Sequence, residues 1–291
     1  MAKVRKQRIR YDRIALILVS LVLLILLIWL VFSIIFSSGN KEEVGDDPID
    51  PIVEKTPYEE FYFYDSARHE RYETYHELNP ELSYDTVVWH VNSNLDKEFY
   101  TEITIITDLN TNPILVNKYF ALPEDYIPEN MVSIGNGKYM NETAYEAFKL
   151  MQADALAEGH KLTIISAYRS YSYQKDLYNN YLTRYSQAEV DTFSARPGHS
   201  EHQTGLAIDI CGNNGDYLKF EGTLEEQWVK EHAYEYGFIV RYGEDIVDLT
   251  GYIYEPWHLR YVGKEIALIM KNEGIKTLEE YIIKYVENRG E

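Results

Sequence analysis

An uninterrupted apolar run from Ile14 to Phe36 constrains this chain more than any other segment, because it contains no charged residue. At about 1.5 Å rise per residue, a helix of this length spans the roughly 30 Å hydrocarbon core of a bilayer. The residues before it carry six basic side chains against the single acid Asp12. Because basic flanks stay cytoplasmic, we expect a cytoplasmic tail at 1–13, a transmembrane anchor at 14–36 and the remainder outside the cell.

A cleaved signal peptide is the alternative interpretation of this run, since the small residues Ser37, Ser38 and Gly39 follow it. The run is longer than the roughly 7–15 apolar residues of a signal peptide, and no A-x-A pattern follows. The sequence therefore favours an uncleaved anchor.

The net charge excludes one class of partner when it is counted separately for the two sides of the predicted membrane anchor. The whole chain carries −19 and the basic tail +5, so the residues beyond the tail carry −24. A surface of this sign does not attract nucleic acid or anionic lipid. We therefore expect no nucleic-acid partner.

Composition divides the part beyond the anchor into three stretches. Residues 37–57 are rich in Gly, Pro, Asp and Glu, which is typical of a flexible acidic linker. Residues 58–112 contain two helical patterns and are interpreted as a small helical subdomain. Residues 113–291 mix helices and strands without the regular rhythm of a doubly wound sheet, which predicts an α+β domain with a small antiparallel sheet flanked by helices. Its predicted strands are 162–168, 205–210, 238–242 and 257–262.

Two short segments of the α+β stretch collect the side chains of a hydrolytic metal site. The first is Ser200-Glu-His-Gln-Thr-Gly-Leu-Ala-Ile-Asp209 and the second is Glu255-Pro-Trp-His258. A catalytic zinc needs three protein ligands and one open position for water. We predict that His202, Asp209 and His258 bind Zn²⁺. Glu255 would then accept the proton from the activated water.

Local sequence indicates where these side chains lie. We expect His202 in a loop and Asp209 near a strand end, with Glu255 in a turn that enters a strand because Pro256 prevents a helix there. Any one of them alone is more often a turn or surface residue. Two imidazoles and two carboxylates are unfavourable among small, apolar neighbours unless a partner compensates their charge and polarity. This requirement favours the metal site.

Two neighbouring residues are not expected to bind the metal. Cys211 is the only cysteine, and we interpret it as a buried small hydrophobe beside a strand. His199 is interpreted as exposed or as lying outside the ligand set.

The two segments together resemble the signature of the VanY-type D-alanyl-D-alanine carboxypeptidases, which are zinc peptidases that trim peptidoglycan stem peptides. Their relatives include L,D-carboxypeptidases. The resemblance covers roughly residues 113–261, and the metal and base positions do not depart from the family pattern. That pattern reads Ser200-x-His202-x-x-Gly205-x-Ala207-x-Asp209 and, downstream, Glu255-x-Trp257-His258.

The resemblance also extends upstream to Arg169 and Gln174. In similar enzymes these positions contact the terminal carboxylate of the substrate or the developing oxyanion, and an arginine fork suits a carboxylate. The alternative is that Arg169 caps a strand end by binding backbone carbonyls. Ser200 is expected to join the same substrate pocket or to shape the loop, and Trp257 is expected to line the substrate cleft or to pack beside the metal.

The resemblance implies removal of a C-terminal D-alanine from peptidoglycan stem peptides. An L,D-carboxypeptidase acting on tetrapeptide stems is an alternative, because the sequence does not reveal the depth of the pocket. A second alternative is a wall-peptide binding module without turnover. Glu255 argues against the binding module, because a binder has no need of a base.

Overall fold

The computed structural model describes residues 55–109, 111 and 113–286. Within these ranges, none of the helices has the length and apolar character needed to span a membrane. The anchor expected at 14–36 lies outside the described residues, as do the tail before it and most of the linker after it.

Short strands alternate with helices along the described chain. The strands are β1 (Thr104–Ile105), β2 (Phe120–Ala121), β3 (Met131–Gly135), β4 (Lys138–Asn141), β5 (Thr163–Ser166), β6 (Ala207–Cys211), β7 (Phe238–Tyr242) and β8 (Glu255–Tyr261). The α-helices are α1 (His69–Leu78), α2 (Tyr84–Asn92), α3 (Glu142–Ala157), α4 (Tyr171–Leu182), α5 (Gln187–Val190), α6 (Leu224–His232), α7 (Val247–Thr250), α8 (Lys264–Glu273) and α9 (Leu278–Tyr285). Short 3₁₀ helices lie at Pro57–Glu60, Ser66–Arg68, Glu201–Thr204, Tyr217–Lys219, Ala233–Tyr236 and Glu244–Ile246.

Four of the strands form an antiparallel sheet in the order β5–β6–β8–β7. This sheet and the helices around it confirm the predicted α+β class. β6 begins at Ala207 rather than at Gly205, because Gly205 has a φ of +70° and ends the preceding 3₁₀ helix. β8 begins two residues earlier than predicted, at Glu255.

Alternation along the strands gives this sheet one apolar and one polar face. Ile208 pairs with Leu259, and both side chains join the main hydrophobic core together with Phe148 of α3. The next pair in the register is Asp209 with His258, whose side chains therefore lie on the opposite face. The fold thus separates the core from the predicted site by a single sheet.

The helices before residue 100 share their core with the end of the chain. Tyr72 of α1 and Trp89 of α2 belong to a hydrophobic cluster that also contains Ile283 of α9. Farther along, β1 pairs in parallel with β2. The described residues from Lys55 onward accordingly form one compact unit.

Substitution of Gly237, which leads into β7 with a φ of +86°, should destabilise the sheet. A Cβ at this position would lie 2.8 Å from backbone atoms of Gly263 and Lys264. Gly159 has a similar φ of +92° but open space around it, so it is a matched control. We expect Gly159→Ala to cost about 1–2 kcal/mol for the left-handed backbone. Gly237→Ala should cost about 1–3 kcal/mol more through overpacking.

Urea unfolding of the purified protein, followed by tryptophan fluorescence, measures both variants. Equal destabilisation by the two substitutions would show that the close approach at Gly237 is not a constraint.

Candidate active site

The three predicted metal ligands lie together in the structure. One ligand atom from each of His202, Asp209 and His258 lies within 4.8 Å of the others. His202 Nε2 is 3.3 Å from Asp209 Oδ2, and His258 Nδ1 is 3.2 Å from Asp209 Oδ1. Among the described residues, this is the group that has the geometry to hold a metal ion.

Secondary structure fixes each of these side chains. Asp209 and His258 are partners in the β6–β8 register. His202 lies in the 3₁₀ helix Glu201–Thr204, not in the open loop expected from the sequence, and its Nδ1 lies 2.7 Å from the carbonyl oxygen of Ala167. The left-handed Gly205 then turns the chain from this helix into β6.

The donor set fits a zinc ion. Burial lowers the pKa of His202 to about 4, so its ring is neutral near pH 7. Because Nδ1 donates to the Ala167 carbonyl, Nε2 carries a lone pair, and this buried atom has no hydrogen-bond partner. A lone pair facing the Asp209 carboxylate at 3.3 Å is unfavourable unless a cation binds both atoms. Two imidazoles and one carboxylate are a common ligand set for catalytic zinc.

The other two ligands are strongly coupled to their surroundings. Burial by itself would raise the pKa of Asp209, but the hydrogen bond and the positive charge of the adjacent His258 hold that pKa well below its usual range. Burial would likewise lower the pKa of His258, but Asp209 and Glu201 raise it to about 9. A metal ion must therefore displace a proton from His258 when it binds.

Glu255 reaches the same side of the sheet through an irregularity in β8. Residues three apart in a regular strand point to opposite faces. Val240 pairs with Leu259 but Tyr242 pairs with Glu255, so β8 contains extra residues in between. As a result, Glu255 Oε2 lies 3.9 Å from His258 Nδ1. The expectation of a turn at Glu255 is wrong, because the residue is already paired within the strand. Burial raises its pKa to about 8.

A cleft of about 420 Å³ opens above this group, and the predicted substrate-binding residues Arg169, Gln174, Ser200 and Trp257 all line it. Arg169 faces Asp209, with Nη2 3.8 Å from Oδ2, and its buried Nε has no partner. The guanidinium is therefore directed at the site rather than at strand carbonyls. Trp257 packs edge-to-face against Tyr217 at a ring distance of 5.2 Å.

Gln174 is placed differently from a direct carboxylate ligand. Its amide nitrogen donates to the Ala195 carbonyl at 2.7 Å, and its buried Oε1 has no partner. A carboxylate needs donors, and the amide nitrogen of Gln174 is already used to hold the loop at Ala195. The donors available to a carboxylate in this cleft include Arg169 and the Ser200 hydroxyl.

The loop before His202 is held by Tyr100, a residue of the stretch 58–112. The Tyr100 ring lies 4.0 Å from the Arg196 guanidinium and edge-on to the His199 ring. His199 is buried, and its Nδ1 lies 2.7 Å from the Asn117 carbonyl oxygen. Of the two interpretations, exposure is therefore wrong, whereas His199 does lie outside the metal-binding group. Cys211 is buried as expected and does not belong to the metal-binding group.

Sequence reasoning missed one side chain at the site, Glu201. Its carboxylate is completely buried, and Oε2 lies 3.2 Å from His258 Nε2. Its other partners are Arg241 and Arg260. Both arginines stand inside predicted strands among apolar residues, and buried arginines require a buried carboxylate. The two arginines within predicted strands were therefore the sequence signal that could have indicated a buried carboxylate.

The fold and the site together define a zinc-dependent peptidase, and comparison with known proteins gives the same class. A family model described as VanY, D-alanyl-D-alanine carboxypeptidase, matches residues 137–264. YodJ of Bacillus subtilis (strain 168), a carboxypeptidase by name, is 39% identical over 209 residues, which cover 66% of this chain and 76% of YodJ.

Two solved structures resemble the described fold. The LdcB LD-carboxypeptidase has a TM-score of 0.58 and 38% identity, over 65% of this chain and 92% of LdcB. A VanY D,D-pentapeptidase from a VanB-type resistance cassette, in complex with Zn(II), has a TM-score of 0.51 and 33% identity, over 58% of this chain and 97% of that one. The chain belongs to the VanY family of carboxypeptidases. The predicted family, zinc cofactor and enzyme class are confirmed.

Loss of one ligand should abolish zinc binding. We expect the purified wild-type protein to retain about one zinc ion per chain after dialysis, and His202→Ala to retain almost none, because two side chains cannot replace three. His160→Ala is the control, since His160 packs near Trp228, away from the metal-binding group. Metal content by mass spectrometry is the measurement. Equal zinc content in wild type and His202→Ala would remove His202 from the ligand set.

Proposed function

We propose that this enzyme is a zinc-dependent D,D-carboxypeptidase that removes the C-terminal D-alanine from peptidoglycan stem peptides. The observation that carries the proposal is the placement of three metal ligands, a carboxylate and an arginine along one cleft. A relative described as a D,D-pentapeptidase supports the choice of bond.

The terminal carboxylate of the substrate would bind at Arg169. This guanidinium has a buried Nε without a partner, and it lines the cleft close to Asp209. A free carboxylate is the group that uses two parallel donors of an arginine, so the site selects the end of a peptide over its interior. Ser200 would add a hydroxyl donor, and Trp257 would form the apolar wall beside the alanine methyl group.

The peptide bond would be hydrolysed with help from Glu255. His202, Asp209 and His258 would hold the zinc ion, which when bound supplies a Lewis acid that activates water and polarises the scissile carbonyl. Glu255 would take the proton from the attacking water and deliver it to the amine of the departing D-alanine. Arg169 would donate to the oxygen that gains negative charge.

An L,D-carboxypeptidase is the second candidate. Its support is the likeness to LdcB, which is described as an LD-carboxypeptidase and gives a TM-score of 0.58 against 0.51 for the VanY enzyme. The two candidates share the ligands, the base and the arginine. They differ only in the residue that precedes the terminal D-alanine.

Stem peptides of defined length distinguish the candidates. The D,D proposal predicts faster D-alanine release from a pentapeptide ending in D-alanyl-D-alanine than from a tetrapeptide with a single terminal D-alanine. Glu255→Gln should lower this release by about 10²–10⁴-fold while keeping zinc, because a general base is lost and no ligand is lost. Glu265→Gln, on the exposed surface of α8, should retain wild-type turnover.

Each of the other possible results would contradict one part of the proposal. Preference for the tetrapeptide would replace the D,D assignment by the L,D one. Near-normal turnover by Glu255→Gln would remove Glu255 as the base, and release that survives a zinc chelator would contradict metal-dependent hydrolysis.

We further propose that residues 14–36 anchor the enzyme in the cell membrane, with the N-terminus in the cytoplasm and the catalytic residues outside. The support is the length of the uncharged run and the basic residues before it. This location would bring the cleft to the side of the membrane where peptidoglycan stem peptides occur.

Cell fractionation tests the anchor. The full chain should remain in the membrane fraction after a high-salt wash and be degraded when protease is added to intact spheroplasts. A chain that starts at Ser37 should be recovered in the soluble fraction, because the apolar run is lost. N-terminal sequencing of the mature protein separates an anchor from a signal peptide. A mature N-terminus near Gly39 would contradict the anchor, and protection from external protease would contradict the orientation.

A further inference from the structure

Glu201 uses both of its carboxylate oxygens in a buried network beside the metal-binding group. Oε1 accepts from Arg241 Nε at 2.8 Å and from Arg260 Nη1 at 2.9 Å. Oε2 lies 3.2 Å from His258 Nε2. Glu201, Arg241 and Arg260 are each at most 1% exposed, so water does not substitute for any of these contacts.

The partners of Glu201 determine which nitrogen of His258 can face a metal. An arginine guanidinium donates hydrogen bonds and cannot accept them, so two arginines hold the carboxylate ionised. An ionised carboxylate only accepts, so His258 Nε2 must carry a hydrogen. When Nε2 is protonated and the ring is neutral, Nδ1 carries the lone pair, and Nδ1 is the atom next to Asp209.

We propose that Glu201 is the positioning residue of the zinc centre, which fixes the tautomer and the ring orientation of His258 so that Nδ1 binds the metal. A hydrogen bond from a ligating histidine to a carboxylate also makes the imidazole a stronger ligand. The proposal rests on the proposed function only in that it concerns the same zinc site.

The network extends to α9 and has no net charge. Glu279 of α9 accepts from Arg241 Nη2 at 2.7 Å and from Asn117 Nδ2 at 3.0 Å through its Oε1. Two arginines and two glutamates balance, so the network can be buried without adding charge beside the metal. Glu279 resembles Glu201 in burial and in its arginine partner, but it is not among the contacts of His258.

This difference supplies a matched pair of variants. In Glu201→Gln, the amide oxygen must face the two arginines because they only donate, so the amide NH₂ group faces His258 Nε2. That arrangement selects the tautomer with a hydrogen on Nδ1, which cannot bind zinc. In Glu279→Gln, the amide oxygen keeps both of its donors, and His258 keeps its carboxylate.

Zinc affinity, measured on the full chain by competition with a chromophoric chelator, tests the proposal. We expect Glu201→Gln to bind zinc about 10–100-fold more weakly than wild type. Glu279→Gln should bind zinc within about twofold of wild type, even if the two variants lose equal thermal stability without metal. A purely structural role of Glu201 predicts that affinity and stability change in parallel in both variants, and that result would overturn the proposal.

A measurement on the wild-type protein does not depend on the folding of any variant. In a ¹⁵N-histidine NMR spectrum of the zinc-loaded protein, His258 should show a hydrogen on Nε2 and none on Nδ1. A hydrogen on Nδ1 would overturn the proposal. If the wild type bound zinc with this tautomer but hydrolysed no stem peptide, the proposed function would fail while the role of Glu201 stood.

Discussion

The neutralisation of two buried arginines is the interaction on which the site depends. Arg241 and Arg260 lie on the polar face of the sheet and are essentially inaccessible to water. An uncompensated buried charge costs several kcal/mol, so each arginine needs a carboxylate within hydrogen-bond reach. Glu201 meets both of them, and Glu279 meets Arg241 from the last helix. The position of the 3₁₀ helix that contains Glu201 follows from this requirement, and His202 is the next residue along it.

The two histidine ligands are oriented by different means. His202 is fixed through Nδ1 by the main-chain carbonyl of Ala167, which secondary structure positions. His258 is fixed by a side-chain carboxylate, which is the stronger acceptor and raises the basicity of the ring. Asp209 lies next to the remaining nitrogen of both rings, 3.3 Å from His202 Nε2 and 3.2 Å from His258 Nδ1. Each ring is held through the nitrogen that does not face the metal-binding group. Little reorganisation is therefore needed when a metal ion binds, and the cost of ordering the ligand side chains does not weaken metal affinity.

The sequence predicted the members of the site better than their arrangement. The ligands and Glu255 stand in two short motifs, so their identity depends only on local spacing. The irregularity of β8 between Glu255 and Leu259 arises from pairing with β7, which is a long-range property that local sequence does not encode. The sequence did not predict the burial of Glu201, for a related reason. A glutamate between a serine and a histidine has the composition of an exposed turn, and its partners lie about 40 and 60 residues farther along the chain.

The stretch before the family-matched region takes part in the same site. Tyr100 has a φ of +63°, a conformation that costs an aromatic residue about 1–3 kcal/mol and persists only where its surroundings impose it. Those surroundings are the Arg196 guanidinium, the His199 ring and the Tyr252 hydroxyl, which is 3.1 Å from that of Tyr100. Tyr252 lines the cleft, and the Arg196–His199 loop leads directly to Ser200 and the 3₁₀ helix. The strained backbone of Tyr100, in the stretch 58–112, is therefore stabilised by contacts next to the active site. This stretch and the catalytic residues consequently depend on each other for their geometry.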